Sequence, residues 1–397
     1  MTLSRKIEAL TPSITLSVTA KANEMKKAGI NVISFAAGEP DFNTPQNIID
    51  AAVEAMKKGY TKYTPASGLI DLKKAVCEKF LRDNNLTYST SQVIISNGAK
   101  QCLGNLFLAL LNPGEEVIVP TPYWVSYPEL IKIADGVPVF VECKEENDFK
   151  YTIDELNKVL TDKTKAILLN SPNNPTGTIY SKEELIEIAN FAKEHDLYIV
   201  SDEIYEKLIY DGNEHVSIAA LSEDAFNRTI VINGVSKTYS MTGWRIGYAA
   251  GPGNVIKLMS SIQSHMTSNP NTIAQHATIE ALNTEEAVVK DMALEFERRR
   301  NFMAKKLNEI ENVKIINPSG AFYVMVNISY YLKKKFGETI IEDSIKFSEV
   351  LLEDGAVATV PGIAFGLDDY IRLSYATSTD NIEEGINRLK SFLNKLK

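Results

Sequence analysis

The chain has 397 residues, 44% hydrophobic and 23% charged, a globular balance that excludes disorder and is long enough for two domains. Forty-two basic against 51 acidic side chains leave a net charge of −9, which argues against nucleic acid or an anionic membrane as the main partner. No apolar run approaches the roughly 18 residues of a spanning helix, and the first residues lack the apolar core of a signal peptide, so a cytoplasmic location is expected. Cys77, Cys102 and Cys143 show neither metal nor redox spacing, and the four histidines show no metal spacing, so no metal is expected.

Short apolar runs alternate with helical patterns along the middle of the chain. Val93-Ile94-Ile95-Ser96 reads as a strand, followed by Asn97-Gly98-Ala99-Lys100 and an apolar helix through Leu111. Glu116–Pro120, Ala166–Asn170, Leu197–Ser201, Thr229–Asn233 and Ile246–Ala250 repeat the theme. Runs this short and apolar suit strands covered on both faces, which predicts an α/β fold with a mostly parallel sheet and crossover helices. Ser181 with Glu184 is a capping-box pattern, and Leu185, Ile188, Ala189 and Ala192 continue it as one apolar stripe.

From about residue 285 the texture changes to a long charged helix with Phe296, Met303, Leu307 and Ile310 at helical spacing. Weaker strand signals follow at Phe322–Val326 and Tyr370–Ser374. Arg298-Arg299-Arg300 and Lys333-Lys334-Lys335 read as solvated helix faces. The pattern divides the chain into a large domain over 46–284 and a small α+β domain over 285–397, with 1–45 packing on the latter.

Parallel sheets bind ligands outside the carboxyl ends of their strands. The predicted strands lead in turn into Gly98-Ala99-Lys100, Tyr123-Trp124, Ser171 to Gly177, Asp202 to Tyr205, and Ser236-Lys237, with Arg245 shortly after. One rim thus collects an anion-binding helix start, an aromatic face, amide donors, a carboxylate, a phenol, an amine and a guanidinium. Singly, each has a plain structural reading: a turn at Asn174-Pro175-Thr176-Gly177, a cap at Asp202, a core Trp124, a surface Lys237. Their order and position carry more.

That order closely resembles the class I aminotransferases, pyridoxal 5′-phosphate enzymes of the aspartate aminotransferase fold. The resemblance rests on Ser171-Pro172-Asn173-Asn174-Pro175-Thr176-Gly177, Ser201-Asp202-Glu203-Ile204-Tyr205, Ser236-Lys237 through Trp244-Arg245-Ile246-Gly247, and Arg372-Leu373-Ser374-Tyr375-Ala376. It extends from Gly38-Glu39-Pro40-Asp41-Phe42 to Arg372. It is strongest toward the bacterial aspartate aminotransferases that carry Gly-x-Lys-Gln, here Gly98 to Gln101.

The resemblance implies a role for each rim residue. Lys237 would hold the cofactor as a Schiff base and move the proton, Asp202 would face the pyridine nitrogen, and Asn174 and Tyr205 would bond the phenolic oxygen. Trp124 would stack on the ring. Gly98, Ala99 and Lys100, with Ser236 and Arg245, would bind the phosphate, joined by Tyr63 from the neighbouring subunit of a homodimer. Arg372, assisted by Gly38 and Asn174, would clamp the substrate α-carboxylate, as suits a planar bidentate cation.

Substrate choice is read more thinly. The arginine that some aspartate aminotransferases place before Ser-Asn-Pro is absent from Gln263–Pro270. In the subgroup resembled here Lys100 takes that role, helped by Ser13 and Thr15, which implies aspartate and glutamate as donors and 2-oxoglutarate and oxaloacetate as acceptors. Thr11 stands where prephenate-accepting members tend to carry a basic residue. Alanine, aromatic or kynurenine substrates, and a carbon–sulfur lyase or aminocyclopropane-carboxylate synthase of the same fold, are the rival enzyme readings. An effector domain of a transcription regulator is the rival from another class, and the early position of Gly38 argues against it.

Overall fold

The computed structural model describes residues 3–397. Seven strands form the central sheet: β1 (Val93–Ser96), β2 (Glu116–Thr121), β3 (Val137–Glu142), β4 (Thr164–Asn170), β5 (Tyr198–Asp202), β6 (Thr229–Gly234) and β7 (Gly247–Ala250). Their order across the sheet is β1-β7-β6-β5-β4-β2-β3. All neighbours pair in parallel except β7, which is antiparallel to both β1 and β6. The α/β architecture expected from the apolar runs is therefore present, and β1 and β6 are buried along their whole length, as strands covered on both faces must be.

The strand β3 has no counterpart among the expected elements. Pro138 lies inside it, and proline cannot donate to a ladder, so the segment is tolerated only where β3 sits, at the sheet edge. The reversal of β7 has a consequence for the rim. Arg245 precedes β7, so an antiparallel strand brings it to the edge that the parallel strands reach with their carboxyl ends.

The Ser181–Glu184 capping box forms in both directions: Glu184 N–H donates to Ser181 Oγ at 3.2 Å and Ser181 N–H to Glu184 Oε2 at 2.7 Å. The helix it opens, Lys182–Glu194, buries the expected stripe of Leu185, Ile188, Ala189 and Ala192.

A second, antiparallel sheet contains Lys314–Ile315, Tyr323–Asn327, Val360–Pro361 and Tyr370–Ser374. Arg372 sits in the last of these, opposite Met325 on one side and Val360 on the other. Upstream of Gly38, Ile33–Ser34 pairs in parallel with Val357–Ala358.

The basic runs differ from expectation. Of the three consecutive arginines on the Glu286–Asn308 helix, only Arg298 faces solvent. Arg299 is buried and pairs with Asp41 and Glu295, and Arg300 is 1% exposed and bonds both oxygens of Asp211. Asp41 and Asp211 lie 258 and 89 residues from the arginines they pair with, so the charge run alone reads as solvated. Lys333–Lys335 are not helical; they lead into a short hairpin strand, Lys335–Phe336.

Candidate active site

The sheet rim gathers most of the residues singled out above. Helix Ala99–Leu110 starts at the end of β1, and Gly98 before it adopts φ +85°, where a Cβ would lie 2.4 Å from Arg245 Nη2. Glycine is therefore needed both for the backbone angle and for the approach of the guanidinium. Gln101 N–H bonds the Gly98 carbonyl at 3.0 Å, and the helix start, with the Lys100 and Arg245 charges beside it, is positive in the way an anion requires. The Lys100 ammonium lies 4.9 Å from the Trp124 ring centre, and burial, then Arg245, lower its pKa.

Asp202 ends β5 and is 4% exposed. Burial pushes its carboxyl up to about 6, against the opposing effects of a 2.6 Å bond from the Tyr127 hydroxyl and a 3.3 Å bond from Ile204 N–H. Three residues on, the Tyr205 hydroxyl meets that of Tyr323 at 3.0 Å. Residues 203–207 form a turn rather than a helix, so the Ile204 bond is a local turn contact, not a helix cap.

Lys237 follows β6, and its ammonium donates to the Gly38 carbonyl at 2.5 Å. Burial lowers its pKa to about 8, aided by the nearby charges of Arg245 and Arg372 and opposed by Glu39 and Asp202. Arg372 is 2% exposed; Nη1 donates to Asn174 Oδ1 at 3.0 Å and Nη2 to the Ala36 carbonyl at 3.2 Å. Its Nε has no partner, and among the described residues no carboxylate pairs with it, so burial lowers its pKa. The guanidinium lies 4.2 Å from the Tyr323 ring centre and 5.0 Å from that of Phe365. A desolvated cation with only neutral acceptors makes a strong receptor for an anion.

Ser236 is buried beside Lys237. Three candidates stand apart from these contacts. Ser13 accepts from Leu16 N–H at 3.4 Å as the N-cap of the Ile14–Lys27 helix, and Thr15 lies in that helix's first turn; no bond joins either to Lys100. Tyr63 is 89% exposed. Conversely, Tyr127, Tyr323 and the Ala36 carbonyl enter the site without having been anticipated. Tyr127 lies three residues after Trp124, one helical turn on, which is the sole signal of it in the sequence.

An open α/β rim with a buried carboxylate, a lysine of lowered pKa and a buried arginine that lacks a carboxylate partner suits an anionic ligand. The chain belongs to the class I and II aminotransferase family, whose model matches residues 30–389, and it is an aminotransferase. It is 52% identical to the aspartate aminotransferase of Bacillus subtilis (strain 168), with 100% of each chain covered. It is also 52% identical to that of Bacillus sp. (strain YM-2), over 98% of this chain and 99% of the relative. Among solved structures, the Thermus thermophilus aspartate aminotransferase with maleate superposes with a TM-score of 0.93 at 44% identity, covering 99% of this chain and 100% of that one. Among the described residues no helix is long and apolar enough to cross a membrane.

Proposed function

We propose that the enzyme transfers the amino group of L-aspartate to 2-oxoglutarate, giving oxaloacetate and L-glutamate, in two ping-pong half-reactions with pyridoxal 5′-phosphate as cofactor. The observation that carries this reading is the buried, carboxylate-free Arg372 beside Asn174, in the same rim as a lysine held near pKa 8. The residues present fit the cofactor. The Gly98 cradle, with Ala99, Lys100, Ser236 and Arg245, offers N–H, hydroxyl and cationic donors of the kind a phosphate requires. Asp202 offers a buried carboxylate, Trp124 an aromatic face, and Asn174 and Tyr205 polar groups for the cofactor's phenolic oxygen.

When bound, the cofactor supplies an electron sink for the substrate's Cα–H bond. Everything else falls to the chain. Lys237 Nζ would hold the cofactor and would take up and return the Cα proton; its lowered pKa would provide neutral amine close to physiological pH. Asp202 is costly to ionise alone in its dry setting; it would face the cofactor's ring nitrogen, and its carboxylate and a proton on that nitrogen would favour each other. Arg372 and Asn174 orient the α-carboxylate, with the backbone at Gly38 nearby.

Lys100, with Ser13 and Thr15, reads the distal carboxylate. The Thermus relative's complex with maleate, a dicarboxylate, supports a pocket for two carboxylates. The high exposure of Tyr63 supports its reaching a partner's phosphate site in a homodimer. In this reading 46–284 is the cofactor-holding domain, 285–397 with 1–45 is the smaller one, and the enzyme acts in the cytoplasm.

The test is the absorbance spectrum of purified protein with pyridoxal 5′-phosphate, before and after L-aspartate, with oxaloacetate assayed alongside. A visible band that gives way as oxaloacetate appears is expected. A band that ignores aspartate but responds to another amino acid would redirect the substrate assignment, and no band would overturn the Lys237 assignment.

A further inference from the structure

Behind the rim lies a second cluster of charge that the reaction does not touch. The turn after β5 has two faces. Asp202 and Tyr205 point toward Tyr127 and Tyr323, whereas Glu203 and Glu206, each one residue further on, point away from them. Both glutamates are buried, and with His215 their polar atoms lie within 4.8 Å of one another.

Two such carboxylates repel unless each is matched. Glu203 accepts from Ser201 Oγ at 2.8 Å and Ser217 Oγ at 2.7 Å, and pairs with His215 Nε2 at 2.9 Å. Glu206 pairs with the Lys79 ammonium and accepts from Asn84 Nδ2 at 2.9 Å, while Lys79 donates to Asn84 Oδ1 at 2.7 Å. Burial alone would raise the Glu206 pKa; the charges of Lys79 and His215 with these hydrogen bonds outweigh it and hold it at about 2. The Lys79 ammonium thus already supplies the cation that this cluster needs.

Lys79 and Asn84 belong to the Ile70–Asn84 helix, so the cluster ties the back of the turn to a rigid element. The turn's own backbone bonds are few: Glu203 N–H to Ile232 O, Glu206 N–H to Glu203 O, and Leu208 N–H to Tyr205 O. Burying a charge pair gains little stability over an apolar pair of similar volume, but it imposes directional geometry. We propose that Glu206, held by Lys79 and Asn84, is a positioning residue that fixes the Tyr205 hydroxyl against the cofactor's phenolic oxygen. This rests on the function proposed above.

A phenol donating to that oxygen would withdraw charge that otherwise stabilises a proton on the neighbouring Lys237 Nζ of the cofactor-loaded enzyme. Its loss therefore raises the pH at which the nitrogen gives up its proton. The experiment titrates the visible band of the cofactor-loaded enzyme in wild type, Tyr205→Phe, Glu206→Gln and Tyr205→Phe/Glu206→Gln. Lys79→Met/Glu206→Leu is included because it removes both charges together and leaves neither stranded.

The expected result is a midpoint raised by about 0.5–1 pH unit in Glu206→Gln and in the apolar double variant, in the same direction as Tyr205→Phe. Tyr205→Phe/Glu206→Gln should shift no further than Tyr205→Phe alone. Variants that lose thermal stability yet titrate as wild type would overturn the positioning role, as would fully additive shifts. Absence of the band from wild type would instead overturn the proposed function, so the two failures are distinguishable.

Discussion

Arg300 and Arg372 are both at most 2% exposed, yet they sit in opposite electrostatic states. Arg300 donates to both Asp211 oxygens, at 2.8 and 2.7 Å, and to the Pro318 carbonyl at 2.9 Å. Burial works against its charge, but Asp211 outweighs burial and raises its pKa. Arg372 has an amide oxygen and a carbonyl as acceptors, and burial lowers its pKa. The first guanidinium has its counter-anion, although its Nε also lacks a partner, and it holds the Glu286–Asn308 helix against the loop at Asp211. The second stands at a rim with only neutral acceptors, and a bound carboxylate would supply its counter-anion. Burial alone does not mark a functional arginine; burial without a counter-anion does.

The comparison is broken most severely at its centre. Lys237→Ala should lower kcat/KM for transamination by at least about 10³-fold while the protein stays folded, since in the proposed reading Lys237 is both the proton carrier and the cofactor's tether. Steady-state assay with circular dichroism checks this, and near-normal turnover would end the central assignment.

Next comes the pair of arginines. Arg372→Lys should cost roughly 30–100-fold in kcat/KM for every amino-acid donor, because a point charge replaces a planar fork on the carboxylate. Arg300→Met should leave kcat/KM within about threefold but lower Tm by roughly 2–6 °C, the loss being one half-buried ion pair. If the two variants exchanged phenotypes, the contrast between them would be wrong.

Lys100→Ala sharpens the picture on the substrate side. Dicarboxylic donors should lose about tenfold more kcat/KM than alanine or phenylalanine, the worth of one charge-assisted bond. Equal losses would confine Lys100 to the phosphate-binding turn.

The smallest effect is in pH. Lys237 titrates near 8 when folded and near 10.5 ordinarily, so between those values the unfolded cofactor-free chain holds a proton that the folded one has shed. Its contribution to stability is thus unfavourable below about 8 and improves as pH rises through that window. Urea midpoints of cofactor-free wild type should gain on those of cofactor-free Lys237→Met across that range. Parallel curves would show an unperturbed lysine.

Much of the fold and site is legible in the sequence because parallel strands are apolar on both faces and place their chemistry just past their ends. Asp202, Lys237 and Asn174 stand at or just beyond the carboxyl ends of three apolar runs, where a parallel sheet puts its ligand contacts. The Ser181–Glu184 cap is legible because both partners lie within one turn. The Asp202–Tyr127, Tyr205–Tyr323 and Glu206–Lys79 contacts are not, since their partners are 75, 118 and 127 residues apart and local pattern carries no trace of them. Pro138 obscures the edge strand β3, and position in a charged run hides the burial of Arg299 and Arg300.

The amino-acid order by itself therefore determined the α/β class, the rim and the motifs that mark the family, because these depend on short-range periodicity and on residues contiguous in the chain. The reversal of β7, the pairing that gives Arg300 a counter-anion while leaving Arg372 without a carboxylate, and the desolvation that brings Lys237 to about 8 and Asp202 to about 6 arose only in the folded molecule. The free energy of a charge is set by the water removed around it and by the partners left within a few ångströms, and both come from segments that meet only when the sheets and helices pack.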